Sequence, residues 1–249
     1  MTERPPWKVV WITGASTGIG REIALQLASQ GVKVAASARD AKKLAELGSG
    51  IRPYPLDVTD AEAVKATIQS IEREMGPIDI AILGAGSYSP VEAHKIDAAL
   101  FSSIITVNYL GVVNGLAGLL PAMLERRAGH ISWIASVVGY RGLPKAAAYG
   151  PSKAALINLA ECIKPELELK GITISVINPG FVETPMTAAN DFPMPFLMKP
   201  EEAARLTIAG LAKKRFEVAY PGRFVAILKI GRVLPYWLYF KIIRRTILK

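Results

Sequence analysis

Short runs rich in β-branched residues alternate with longer helical patterns along most of this chain, and that alternation limits the possible folds more than any other feature. Residues 7–12, 32–37, 51–55, 78–83, 130–134 and 172–177 read as strands; helical patterns fill 18–30, 61–75, 97–125, 149–170 and 201–212. Strands separated by helices are joined by crossovers rather than hairpins, which predicts a parallel sheet covered on both faces. The strands are apolar nearly throughout, as burial on both faces requires. The expected architecture is α/β, a doubly wound parallel sheet in one domain over residues 1–220, followed by a helical extension over 221–249. Ligands of such sheets bind beyond the carboxyl ends of the strands, so the turns there are where chemistry is sought.

Composition excludes several classes. Cys162 is the single cysteine, so no intramolecular disulfide forms, and a reducing, cytoplasmic setting is expected. One cysteine and two distant histidines, His94 and His130, predict no metal centre. The amino terminus lacks the apolar core of a secretion signal. No uninterrupted apolar run reaches the length of a membrane span, so a spanning helix is not expected.

The net charge of +9 is unevenly placed. From Lys213 to Lys249 there are ten basic residues against one acid, Glu217, so the body is neutral and the tail carries the excess.

Directly after the first strand comes Thr13-Gly14-Ala15-Ser16-Thr17-Gly18-Ile19-Gly20, which opens a helix. Glycines there allow a tight turn and close approach of backbone to a pyrophosphate. The helix amino terminus offers that anion its free N–H groups and the positive end of its dipole. Further along, Tyr149 and Lys153 stand four apart at the start of a helical pattern and so share a face. Ser136 lies thirteen residues before Tyr149, at the end of the fifth strand.

The TGxxxGIG turn with Ser136, Tyr149 and Lys153 resembles the short-chain dehydrogenase/reductase family, a Rossmann-like fold, over roughly residues 7–220. The resemblance implies an enzyme that moves hydride between a nicotinamide and a carbonyl or alcohol carbon. A carbonyl accepting hydride becomes an alkoxide and needs a proton as charge develops. Tyr149 is the expected proton donor and acceptor. A nearby Lys153 ammonium, with the positive nicotinamide of the oxidised cofactor, is expected to lower the phenol from its free value of about 10, and Ser136 to hold the substrate oxygen. By resemblance, Lys153 also holds the nicotinamide ribose and Asn108 anchors a water in a proton relay.

Resemblance extends along the cofactor. NAD-using relatives carry Asp where this chain has Ala38, and Arg39 follows where NADP-using relatives place a base. A guanidinium suits a 2′-phosphate by charge and fork geometry, so NADP(H) is the expected cofactor. Asp57, with Val58, matches the adenine contact. Gly84-Ala85-Gly86 replaces the family's usual NNAG, keeping the small residues and losing both asparagines. After the sixth strand, Pro179, Gly180, Val182 and Thr184 match groups around the nicotinamide.

Residues 185–198, where the family carries its lid, contain Met186, Phe192, Met194, Phe196, Leu197 and Met198. An adaptable apolar lid suits a lipophilic ketone or aldehyde (long-chain acyl, steroid-like or isoprenoid), or it packs the lid onto the body; both remain open. His94 is placed near the site mouth or on inert surface. The tail departs from the family in having two apolar-basic segments, 223–234 and 236–249, hinged at Pro235. In the second, Lys241, Arg244, Arg245 and Lys249 form a basic face with Trp237, Phe240, Ile243 and Ile247 opposite or beside it. That pattern suits peripheral contact with an anionic membrane; packing over the active site or a partner subunit is the alternative. Nucleic acid is not expected, because no binding module accompanies the charge. Gly111 and Gly115 in the long helix suggest close approach in a homodimer. A non-catalytic NADP(H)-binding sensor or scaffold is the competing reading of the whole chain, and it leaves Ser136, Tyr149 and Lys153 without a purpose.

Overall fold

The computed structural model describes residues 5–246. Among these, seven strands form one sheet, every neighbouring pair parallel, in the order β3-β2-β1-β4-β5-β6-β7. The strands are β1 Val9–Thr13, β2 Lys33–Ala38, β3 Ile51–Pro55, β4 Ile80–Leu83, β5 Gly129–Ile134, β6 Ile172–Pro179 and β7 Glu217–Tyr220. The helices are α1 Gly18–Ser29, α2 Ala41–Ala45, α3 Ala61–Met75, α4 Ala98–Ile105, α5 Gly111–Glu125, α6 Tyr149–Glu168, α7 Pro200–Ala212, α8 Gly222–Val233 and α9 Tyr236–Thr246. This is the doubly wound, Rossmann-like fold expected, a single domain with C-terminal helices.

Two cores explain why the central strands are apolar throughout. Trp11, Ala81, Leu83, Ile131 and Trp133 face one way, into a layer with α3, α5 and α6. Val10, Ile12, Val34, Ile80 and Ile82 face the other way, into a layer with α1 and α7. All five residues of β1 and all four of β4 are buried. The two indoles in this core are hydrogen-bonded, Trp11 Nε1 to Ser37 Oγ at 3.0 Å and Trp133 Nε1 to the Leu156 carbonyl at 3.0 Å, which satisfies their only polar atoms.

The chain leaves β1 toward β2 on one side and β4 lies on the other. This is the switch point of the winding, where a crevice opens at the carboxyl ends.

Three differences from the sequence reading matter. Helix α2 was not expected; Asp40 caps it, accepting the Lys43 N–H at 3.1 Å. The expected helix over 97–125 is interrupted by a π-helical turn, Thr106–Leu110. By length and composition the stretch Ala98–Glu125 is apolar enough to cross a membrane, yet Val112, Leu116, Leu119 and Met123 pack into the sheet's core. The third difference corrects the dimer argument. Gly111 and Gly115 face the chain's own interior, where an added Cβ would lie 2.7 Å from Val58 Cγ2 and 2.8 Å from Leu83 Cδ1. Their smallness serves internal packing.

The tail forms the two expected helices, broken at Pro235. Phe224, Val225 and Tyr239 are buried, and Ile243 is half-buried. Ile247 and Lys249 lie outside the described residues, as do residues 1–4.

Candidate active site

Beyond the carboxyl ends of the strands lies a cavity of about 550 Å³. Its floor begins where β1 turns into α1. Gly14 has φ +70, and a Cβ there would lie 2.6 Å from the Gly84 carbonyl oxygen, so the β1 and β4 turns approach to a distance only glycine allows. Thr13 locks that approach from behind, its Oγ1 accepting the N–H groups of Gly84 at 3.0 Å and Ala85 at 3.2 Å. Ser16, Thr17, Gly18, Ile19 and Gly20 line the cavity at the start of α1. A Cβ on Gly20 would lie 2.5 Å from the Gly14 carbonyl oxygen, so the helix sits tight on the turn.

At one end stand Ala38, the last residue of β2, then Arg39 and Asp40, with Lys43 from the first turn of α2. Two cations therefore share this end, and sequence reasoning named only Arg39. Asp40 followed by a helical run was the available signal for Lys43. Asp57 and Val58 line the adjoining wall after β3. The Asp57 carboxylate accepts both the N–H (2.9 Å) and hydroxyl (2.8 Å) of Thr59, which hold its pKa below the usual range, with Arg39 contributing.

At the other end Ser136, Tyr149 and Lys153 converge, with Gly84, Ala85 and Gly86 on one wall and Pro179, Gly180, Val182 and Thr184 on another. Ser136 leaves β5 and caps a short 3-10 turn, Val137–Gly139, its Oγ accepting the Val138 N–H at 3.3 Å. Tyr149 opens α6, so Lys153 follows one turn later on the same face. Pro151 sits in that first turn, where its missing N–H leaves no bond unmade.

The chain's own groups at this end do not by themselves make the phenol acidic. Burial raises the Tyr149 pKa above its ordinary value; a hydrogen bond with Ser136 lowers it in part, and Tyr88 raises it further. The Lys153 ammonium pays the same desolvation, and burial brings it down to about 7. Its Nζ donates to the Ile134 carbonyl at 2.7 Å. With the protein's own groups alone, the phenol stays protonated and the lysine is only partly charged at neutral pH, because burial disfavours both charged forms.

Asn108 and Thr13 do not line the cavity. Asn108 lies in the π-helical turn, fully buried. Its Oδ1 accepts the Ser87 N–H at 2.7 Å, while Nδ2 donates to the Ser87 carbonyl at 3.0 Å and to Ser152 Oγ at 2.9 Å. The amide fastens the loop after β4 to α6, beside Tyr149 and Lys153. Ser152 continues the chain of bonds, donating to the Tyr149 carbonyl at 2.7 Å.

Sequence reasoning missed Tyr88, whose ring meets Tyr149 edge-to-face at 5.1 Å. Its hydroxyl donates to Asn190 Oδ1 at 2.8 Å, tying the expected lid to the site. A short bridge between Val182 and Met198 pins the lid at its base. Lys145 pairs with Asp191 at 2.7 Å, and Phe192 packs against Phe181. Met186 and Thr187 line the cavity; Phe196 and Leu197 are exposed. The lid's apolar residues therefore divide between packing and exposure. His94 is exposed beside Glu92, away from the cavity lining.

Comparison with known proteins agrees with this geometry. Residues 8–192 match the family described as short chain dehydrogenase. A curated relative, an uncharacterized oxidoreductase of Myxococcus xanthus, is 36% identical over 236 residues, covering 92% of this chain and 93% of its own. A short chain dehydrogenase/reductase of Burkholderia phymatum, solved in complex with NAD, superposes with a TM-score of 0.84 at 25% identity, covering 93% of this chain and 94% of that one. A variant of actinorhodin polyketide ketoreductase, solved with NADPH, superposes with a TM-score of 0.77 at 27% identity, covering 87% and 96%.

Proposed function

The chain belongs to the short-chain dehydrogenase family and is an oxidoreductase of it; from that premise we propose that it uses NADP(H) to reduce a lipophilic ketone or aldehyde. One observation carries the reading: Ser136, Tyr149 and Lys153 meet at one end of a single cavity whose other end holds Arg39 and Lys43.

The residues present fit a dinucleotide. Ser16, Thr17, Gly18, Ile19 and Gly20 line the cavity at the start of α1, where free N–H groups suit a pyrophosphate. Arg39 and Lys43 suit a 2′-phosphate, and Asp57 and Val58 border the adenine end. Gly84, Ala85, Gly86, Pro179, Gly180, Val182 and Thr184 suit the nicotinamide half. When bound, the nicotinamide supplies the hydride and, once oxidised, a positive charge.

The chain's own groups handle the proton. Ser136 Oγ donates to the substrate oxygen and holds it beside the Tyr149 hydroxyl. Burial keeps that phenol protonated at neutral pH, which is the form a reduction needs: its proton passes to the oxygen as alkoxide charge develops. The tyrosinate left behind faces the Lys153 ammonium, and a lysine near 7 can restore the proton at physiological pH. Asn108 acts on this step by holding α6 against the loop after β4. The apolar lid residue Met186 at the cavity supports an apolar substrate.

The test follows NADPH absorbance against a panel of apolar ketones and aldehydes, with NADH in parallel. Turnover of at least one compound, abolished in Tyr149→Phe with NADPH binding retained, is the expected result. Tight NADPH binding by the wild type with no turnover across the panel replaces this reading with the sensor.

A further inference from the structure

Helices α8 and α9 present a surface that the catalytic reading leaves unused. Between residues 222 and 246 there are six cations, Arg223, Lys229, Arg232, Lys241, Arg244 and Arg245, and no acid. Glu217, just upstream, is neutralised by Lys229. Among the described residues the other five cations have no carboxylate partner. Interleaved with them are large apolar side chains facing solvent, among them Ile230, Val233, Trp237 (69% exposed) and Phe240.

Two structural facts separate this surface from a loose tail. On α8 the buried Phe224 and Val225 hold the helix to the core, while Arg223, Ile227 and Ile230 fall on the opposite face at helical spacing. On α9 the attachment is a clamp. The Arg141 guanidinium donates to the carbonyls of Gly231 (2.6 Å), Arg232 (3.1 Å) and Leu234 (2.7 Å) at the end of α8. It also lies over the rings of Tyr236 and Tyr239, at 4.9 and 4.0 Å, and Tyr239 donates to the Gly142 carbonyl at 2.6 Å. The exposed apolar and basic side chains are thus held in a fixed orientation. Helix α8 also touches the lid on its inner side: Phe196, half exposed, packs on the buried Phe224 at 5.8 Å.

We propose that α8 and α9 dock on the surface of an anionic lipid bilayer. The charge is complementary to anionic headgroups, and the aromatic and aliphatic side chains among the cations match the apolar-to-polar boundary of a membrane. Long basic side chains reach headgroups while their stems lie along the apolar region. Docking places the lid beside the reservoir in which a lipophilic carbonyl dissolves. The inference rests on the proposed function for that supply alone; the docking itself is scored without turnover.

The test floats the full-length protein with vesicles of phosphatidylcholine, with and without phosphatidylserine, and then with brominated phosphatidylcholine included. Trp7, Trp11 and Trp133 are buried, so bromine quenching of tryptophan emission reports Trp237. Expected are flotation only with phosphatidylserine, quenching of the Trp237 emission, and loss of quenching but not flotation in Trp237→Phe. Lys241→Gln with Arg244→Gln is expected to lower vesicle partitioning by about 30-fold, from roughly a fivefold effect per cation. Absence of flotation overturns the proposal, as does flotation without quenching. So does a lipid-free dimer, seen by sedimentation, that Trp237→Ser with Phe240→Ser dissociates, because a second copy then covers the face.

Discussion

Lys153 Nζ lies 5.4 Å from the centre of the Tyr149 ring and gives its hydrogen bond to the Ile134 carbonyl, 2.7 Å away, with the phenol left to Ser136. The two are not locked into an ion pair, and burial presses each toward its neutral form.

From this follows a pH profile. Lys153 is an ammonium below about 7 and neutral above. The kcat/KM for NADPH, which reports the free enzyme, is expected to fall as pH rises through that value. Lys153→Met should lower it by about 100-fold or more and erase the inflection. Stability moves the other way. The folded pKa lies below the unfolded value of about 10.4, so the cost of burying the ammonium is complete below about 7 and vanishes above the unfolded pKa. Lys153→Met should therefore melt higher than wild type near about pH 6, with the gap closing toward about pH 10.

Arg39 and Lys43 together are expected to set cofactor choice. Removing one charge-assisted bond to a 2′-phosphate costs about 1.5–3 kcal/mol, so Arg39→Ala should lower the NADPH-to-NADH efficiency ratio by about tenfold or more. Adding Lys43→Ala should lower it further. A ratio unmoved by both changes removes the phosphate from this end of the cavity.

His130 makes the fold sensitive to acid. Its Nε2 pairs with Ser175 Oγ at 2.8 Å, and burial, aided by Lys214, brings the imidazole from 6.5 to about 4. Between those values the unfolded chain binds a proton that the folded chain refuses, so stability falls as pH drops from 6.5 toward 4. The loss attributable to this residue is about 3 kcal/mol. Urea unfolding across that range should show a shallower pH dependence in His130→Gln than in wild type.

Gly14→Ala tests the cradle. The substitution forces a Cβ into left-handed backbone and to 2.6 Å from the Gly84 carbonyl oxygen. A cost of about 3 kcal/mol or more is expected, with loss of dinucleotide binding measured by fluorescence titration. Binding that survives unchanged means the β1 and β4 turns separate without consequence.

Arg141→Ala should release the clamp on α9. Three carbonyl bonds and two ring contacts are lost, mostly near the surface, for about 2 kcal/mol. Amide hydrogen exchange should quicken across α9 and remain slow in α6.

Much of this was legible from residues close together in the chain. Period and turn chemistry act over a few residues, so the alternation of strands and helices, the glycine turn at 14–20 and the spacing of Tyr149 and Lys153 determined the winding of the sheet and the end at which chemistry lies. The boundaries of β3 and α3 come out the same from sequence and structure. Only the tertiary structure decided which faces met. Gly111 and Gly115 could serve an inner or an outer surface until Val58 and Leu83 were placed against them; Tyr88 and Asn190, 102 residues apart, meet over Tyr149 through no local pattern. The protonation of Tyr149 and Lys153 belongs to the same class. A side chain's titration is set by how much water the surrounding elements remove, and those elements come from distant parts of the chain.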